Sequence, residues 1–174
     1  MSRRYGLFAV ATAVLLAATF ELPARSDGYN ASPLYGVELP SGYRAWTVIS
    51  AAQENGALND IRVILGNERA TKAFRSGTRP FPDGSIIVRI AWKLVSSERN
   101  DAIFGRRQSN VAGDPTNVQV EVKDSKKYAA SGGWGYGQFE NGKANPDSAL
   151  IGACNACHQK LPPSEDLIFT SYSP

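Results

Sequence analysis

Histidine and methionine each occur once in this 174-residue chain, as His158 and Met1, and cysteine occurs twice. A zinc site built on the two cysteines would need two further soft ligands, and the chain cannot supply them. Net charge is also small: 19 Lys and Arg against 16 Asp and Glu leave +3. Removal of a leader carrying Arg3, Arg4 and Glu21 lowers it by one. So slight an excess does not draw nucleic acid or an anionic membrane surface. The longest apolar run, Gly6 to Ala18, is broken by Thr12 and falls short of the ~20 residues of a comfortable transmembrane helix. Internal repeats, heptads and low-complexity tracts are missing too, which excludes solenoids and coiled coils.

What the chain does carry is Cys154-Asn155-Ala156-Cys157-His158. Two thiols at this spacing can add across the two vinyl groups of one haem, and the adjoining imidazole can bind its iron. Cys154 and Cys157 are therefore the expected thioether anchors of a single haem c, with His158 as its proximal iron ligand. A disulfide is the alternative, but a bridge across two residues is a redox-active loop, usually at the start of a thioredoxin-like helix. With His158 committed and Met1 in a removable leader, no second His or Met remains for the opposite face of the iron. Electron-transfer cytochromes usually place one of those there. An open or weakly held sixth position is expected, which favours work on a small gaseous or nitrogenous ligand over plain electron transfer.

Ser2-Arg3-Arg4-Tyr5 ahead of the apolar run has the form of a secretory signal, expected over residues 1–24 and directing the protein to the periplasm. Ala17-Ala18-Thr19 is the nearest approach to a cleavage triplet. A twin-arginine signal prefers a bulky apolar residue where Gly6 stands. It also exports folded proteins, whereas the cysteines must stay reachable for haem attachment, so Sec-type export is expected. Apart from the leader no membrane association is expected. About 150 residues remain, one domain with one core.

Residues 25–42, with Pro33 and Pro40 among Gly, Asn and Ser, read as a flexible arm, and residues 43–174 as the haem domain. Alternation predicts strands over Tyr43–Ala51, Asp60–Leu65, Ser85–Val95, Asn117–Lys123 and Trp134–Glu140. Asn67 and Gly77 bracket a short helix, Glu68–Arg75, and Pro80 to Gly84 is a tight turn. Glu98–Pro115 and Asn141–Asp147 read as loops, Ser125–Ala130 as a helical turn, and Ala149–Lys160 as a short helix carrying the haem motif. In the longest strand Ile86, Val88, Ile90 and Trp92 share one face and read as core. Ile87, Arg89, Ala91 and Lys93 share the other, which suits a surface or a pocket wall. The fold class is α+β, a mostly antiparallel five-stranded sheet with a few short helices.

Several landmarks, taken in order, resemble the cytochrome P-460 family, which includes the cytochromes c-prime-beta. They are Tyr43-Arg44-Ala45-Trp46, Ile61-Arg62-Val63, Phe81-Pro82-Asp83-Gly84, Lys123-Asp124-Ser125, Gly133-Trp134, the haem motif and Asp166-Leu167-Ile168-Phe169-Thr170. The resemblance implies a five-stranded antiparallel sheet, one haem and a homodimer. In the hydroxylamine-oxidising members a lysine on the strand after the Asp-Gly turn is bonded to the macrocycle. The matching position here is Arg89, and a permanently protonated guanidinium is a poor nucleophile. Lys93, about 13 Å further by strand rise, is a weak substitute. Those enzymes also carry a distal glutamate shortly before the haem motif; none lies between Asn141 and Cys154, and Asp147 is the nearest acid. Both departures point to the c-prime-beta branch, which binds nitric oxide at an uncross-linked haem lined by bulky apolar groups, with Phe81 as the candidate here.

The expected distal residues are thus Arg89, as a donor to bound ligand or to a haem propionate, and Phe81. Their bland alternatives are a solvated strand cation and a turn residue packed on the sheet. Trp46, Trp92 and Trp134 read as core, Lys160 as solvent-facing, and Tyr128 and Tyr136 as phenols whose spacing gives no reason to bind iron. The expected function is a periplasmic monohaem cytochrome binding nitric oxide or a related ligand. The alternative is a hydroxylamine-oxidising enzyme that passes electrons to a partner cytochrome.

Overall fold

The computed structural model describes residues 30–173; the leader expected over residues 1–24 lies outside the described residues. Among the described residues six antiparallel strands form one sheet in chain order: β1 (Thr47–Glu54), β2 (Asp60–Gly66), β3 (Ile86–Ser96), β4 (Asn110–Lys123), β5 (Trp134–Glu140) and β6 (Lys143–Ala144). Three helices join or follow them: α1 (Glu68–Ser76), α2 (Glu98–Phe104) and α3 (Ser148–His158). The α+β class holds, with six strands instead of five. The extra strand, β6, is two residues long, too short for alternation to reveal. It pairs Phe139 with Ala144 and Glu140 with Lys143. Asn141 and Gly142 between them both take positive φ, 52° and 79°, as a two-residue hairpin turn requires.

Two further expectations are corrected. The first strand begins at Thr47, because Gly42 (φ 69°) turns the chain into a single 3-10 turn, Tyr43–Ala45. The loop expected over Glu98–Pro115 is instead α2 and the first half of β4. Ser97 caps α2 by accepting from Asn100, and Asp101 closes the connection by accepting from the amides of Gln108 and Ser109, both at 2.8 Å. This stretch is polar because no residue of α2 is buried and Leu94–Ser96 pair with Asn110–Ala112 beyond the end of β2.

Both faces of the sheet are covered. On one, Val88, Ile90, Val120 and Phe139 pack with Val37, Tyr43 and Tyr128. Tyr128 lies flat enough on β5 that a Cβ on Gly135 would meet its ring at 2.4 Å, which accounts for the glycine there. On the other, Ile64, Ile87, Trp134 and Tyr136 pack with Phe74 of α1, Phe81 and Ile151 of α3. The face of β3 expected as a surface or a pocket wall is buried at Ile87 and Ala91, and Ile87 packs there with Phe74 of α1 and Ile151 of α3. Within the segment expected as an arm, Val37 is buried and Tyr35 contacts Tyr128 and Tyr136 edge-on. No helix among the described residues is long and apolar enough to cross a membrane.

Helix α1 follows its local signals. Asn67 Oδ1 accepts from the amide of Ala70, and Gly77 (φ 66°) ends the helix by donating to the carbonyls of Ala73 and Phe74. The same Oδ1 accepts from the amide of Ile86, and Asn67 Nδ2 donates to the Gly84 carbonyl, so one side chain ties the helix start to the start of β3. Replacing a capping Asn by Ala typically costs ~1 kcal/mol, and two further backbone partners are stranded here. Asn67→Ala is expected to lower unfolding free energy by about 2 kcal/mol, measured by denaturant titration. A loss under ~0.5 kcal/mol would mean the tie contributes nothing beyond a surface contact.

Candidate haem site

Helix α3 begins at Asp147, whose carboxylate accepts from the amides of Ala149 and Leu150. That acid, the nearest one before the haem motif, is thus occupied as a helix cap. Ile151, fully buried, fastens α3 to the core, a contact worth about 2 kcal/mol. Cys154, Cys157 and His158 stand at i, i+3 and i+4, so they share one face of the last turn. Both thiols are free, Cys154 half-buried and Cys157 exposed. Burial, with the nearby Glu121 charge, pushes the Cys154 thiol up.

The ring of His158 is oriented by a residue nine positions later. His158 Nδ1 lies 2.6 Å from the Leu167 carbonyl oxygen. A carbonyl can only accept, so Nδ1 carries a proton, and in the neutral ring Nε2 is then the nitrogen whose lone pair a metal can take. Tyr136 and Phe169 flank the ring at 5.1 and 4.9 Å. Nε2 lies 3.6 Å from Glu121 Oε1, on the sheet face shared by Ile87, Glu121 and Tyr136 through their pairing. Although 20% of the Glu121 side chain reaches solvent, the protein packed round it raises its pKa, against the pull of His158 and Arg89. Burial, reinforced by Glu121, also raises the Tyr136 hydroxyl far above its ordinary range.

Arg89 is neither a solvated surface cation nor free. Its side chain is 15% exposed, with Nη2 donating to Asp60 Oδ2 at 2.8 Å and Nη1 to Asn117 Oδ1 at 3.1 Å. Asp60 also receives Arg62 at 2.7 Å, so one buried carboxylate separates two guanidinium groups. Burial, and after it the Arg62 charge, pulls the Arg89 pKa down while Asp60 opposes. Phe81 is 2% exposed, edge-on to Phe74 and Trp134 at 4.9 and 5.5 Å, with the Arg79 guanidinium 3.9 Å over its ring. It shares a core cluster with Tyr136 and the partly buried Cys154. Lys93 and Lys160 are exposed.

Residues 40–170 match the Cytochrome P460 family. The chain belongs to that family. No curated protein matches it. Membership makes this a haem protein, and the residues present fit that group. Beyond the two thiols and His158 Nε2, the buried Tyr136 hydroxyl and Arg89 Nε find no hydrogen-bond partner among the described residues. Each such atom costs about 1–3 kcal/mol if left so, and both side chains lie on the sheet face that His158 meets. Two clefts that flank α1 include no residue of α3, so they do not mark the haem-motif residues.

Two residues of this site were not singled out in sequence. Glu121 sits in the alternating run Asn117–Lys123, where polar residues at every second position ordinarily face water. Asp60 opens a strand, where an acid ordinarily marks the end of burial. The available signal was the pairing of Glu121 with a strand face already carrying Arg89, which needs the register to be known. Asp60→Ala would leave Arg62 and Arg89 facing each other with a buried charge uncompensated, a change that typically costs 3–5 kcal/mol. A loss of about 3 kcal/mol in unfolding free energy is expected, with Asp60→Asn losing less; a loss below 1 kcal/mol would show the pair to be solvent-screened.

Proposed function

We propose that this protein is a periplasmic monohaem cytochrome that binds nitric oxide or a related small ligand at an otherwise open iron face. Cys154 and Cys157 hold the single haem c as thioethers, and His158 Nε2 is its proximal ligand. When bound, the haem supplies an iron able to take a small diatomic or nitrogenous ligand and to change oxidation state. The observation that carries the reading is the donor inventory: His158 is the chain's only histidine and Met1 its only methionine. Tyr136 packs beside the His158 ring at 5.1 Å, Lys123 is engaged by Asp166 at 2.7 Å, and a guanidinium is not a donor. The export signal read over residues 1–24 supports the periplasm, where thiols can receive haem.

Within the site, Leu167 orients the proximal ring, Tyr136 and Phe169 shield it, and Phe81 belongs to the bulky apolar wall. Arg89, pinned by Asp60 and Asn117 with Nε still unpartnered, is positioned to donate to a ligand or a propionate. Counted from Asp83-Gly84, Arg89 stands where the resemblance puts the cross-linking lysine of the hydroxylamine-oxidising members, and this opposes that activity here.

One observation favours the second reading, hydroxylamine oxidation with electrons passed to a partner cytochrome. Glu121 supplies, from β4, a carboxyl 3.6 Å from His158 Nε2, its pKa raised by burial, and a carboxyl so placed can accept or release a proton. An anaerobic absorbance titration separates the two. Nitric oxide is expected to shift the Soret band of the reduced protein, and hydroxylamine is expected not to reduce an acceptor dye. Arg89→Ala should change ligand affinity or autoxidation rate, and unchanged ligand kinetics would remove Arg89 from the site. Dye reduction that falls ~10²-fold or more in Glu121→Gln would put the second reading first.

A further inference from the structure

The segment that orients His158 is itself built in an unfavourable backbone conformation. Asp166 and Leu167 are consecutive non-glycine residues with φ of 47° and 62°, in the left-handed region that side chains rarely adopt. Leu167 has no polar side chain to compensate locally. Such a conformation persists only where its surroundings determine it.

Those surroundings can be named. Lys123 Nζ, at the end of β4, donates to Asp166 Oδ1 at 2.7 Å, with the two side chains 6% and 11% exposed. Asp166 Oδ2 accepts from the Phe81 amide, also at 2.7 Å, so both carboxylate oxygens are held. Lys123 further reaches the Gly132 carbonyl at 3.3 Å and lies 5.1 Å from the Trp134 ring. The Leu167 side chain fills the space over Gly132, where a Cβ would come within 2.6 Å of it. One residue on, Ile168 is buried in the core. The carbonyl between these anchors is the one that meets His158 Nδ1.

We propose that Lys123 and Asp166 are a positioning pair for the proximal histidine, holding the Leu167 carbonyl against Nδ1 and so setting the donor strength of Nε2. A buried ion pair is poor evidence for stability in its own right. What this one secures is an angle and a distance: the carboxylate fixes the left-handed turn, and the next carbonyl is aimed by it. An imidazole that donates Nδ1–H to a well-placed oxygen is a more basic ligand at its other nitrogen. Loosening the pair weakens that donation without removing any group that touches the haem. The inference rests on His158 being the iron ligand and is independent of which small molecule binds.

The test uses the haem-loaded protein with Lys123→Met, Asp166→Asn, the double variant and the conservative Lys123→Arg. Two readouts are taken: the iron–histidine stretching band of the ferrous form and the midpoint potential. Each single loss variant is expected to lower the band frequency and raise the potential, the double variant to add nothing further, and Lys123→Arg to keep wild-type values. Equal band and potential in wild type and Lys123→Met, with unaltered circular dichroism, would overturn the inference, as would Lys123→Arg behaving like Lys123→Met. Where Asp166→Asn does not fold, the two Lys123 variants decide. An iron with two strong protein donors would defeat the proposed ligand-binding function, yet the potential comparison would still decide this one.

Discussion

The contact between His158 Nδ1 and the Leu167 carbonyl is the constraint on which the chemistry of this molecule depends. The chain has one imidazole, and this contact determines which nitrogen is free. Three parts of the fold converge on it. Ile151 anchors α3 to the sheet, the end of β4 supplies Lys123, and the carboxy-terminal segment returns along the sheet with Ile168 as its apolar pin. An end segment that looks like simple packing thus also delivers a hydrogen-bond acceptor.

The second organising feature is a polar stripe on a sheet face that is otherwise apolar. Arg89, Gln119, Glu121 and Gln138 lie on the face that also presents Ile64, Ile87 and Tyr136. Burying such groups is costly unless they are paired. Some of that cost is offset inside the stripe, by Asp60 between two arginines and by Gln119 with Gln138 at 2.9 Å. The rest is not: Glu121 is displaced from its ordinary range, and Tyr136 and Arg89 keep unpartnered atoms. Perturbed and unsatisfied groups gathered round one histidine are what a functional site looks like physically, and the haem of the cytochrome P460 family gives that cost a purpose.

Elements punctuated locally were legible in sequence. Asn67 and Gly77 mark α1 because capping is a contact between near neighbours, and β3 shows itself by eleven residues of strand-forming character. Alternation groups residues by face but does not tell which face will be covered, so for Ile87 and Ala91 a surface and a pocket wall were equally open, and both are in fact buried. The polar stretch after Ser97 looked like loop because burial patterns cannot reveal a helix that buries nothing. The haem motif was legible because its chemistry lies within five consecutive residues. Its environment was not: Glu121 comes from a strand 37 residues before His158, and the Leu167 carbonyl depends on two left-handed residues that no glycine or asparagine announces.

The proposed site has one haem tethered through Cys154 and Cys157, with His158 on its iron. Peptide mass analysis of the protein, matured in a host able to attach haem, tests it most directly. One haem per chain is expected, carried by the fragment containing Cys154 and Cys157 and by no lysine-containing fragment outside it. Cysteines found free or joined to each other on a colourless chain would contradict it.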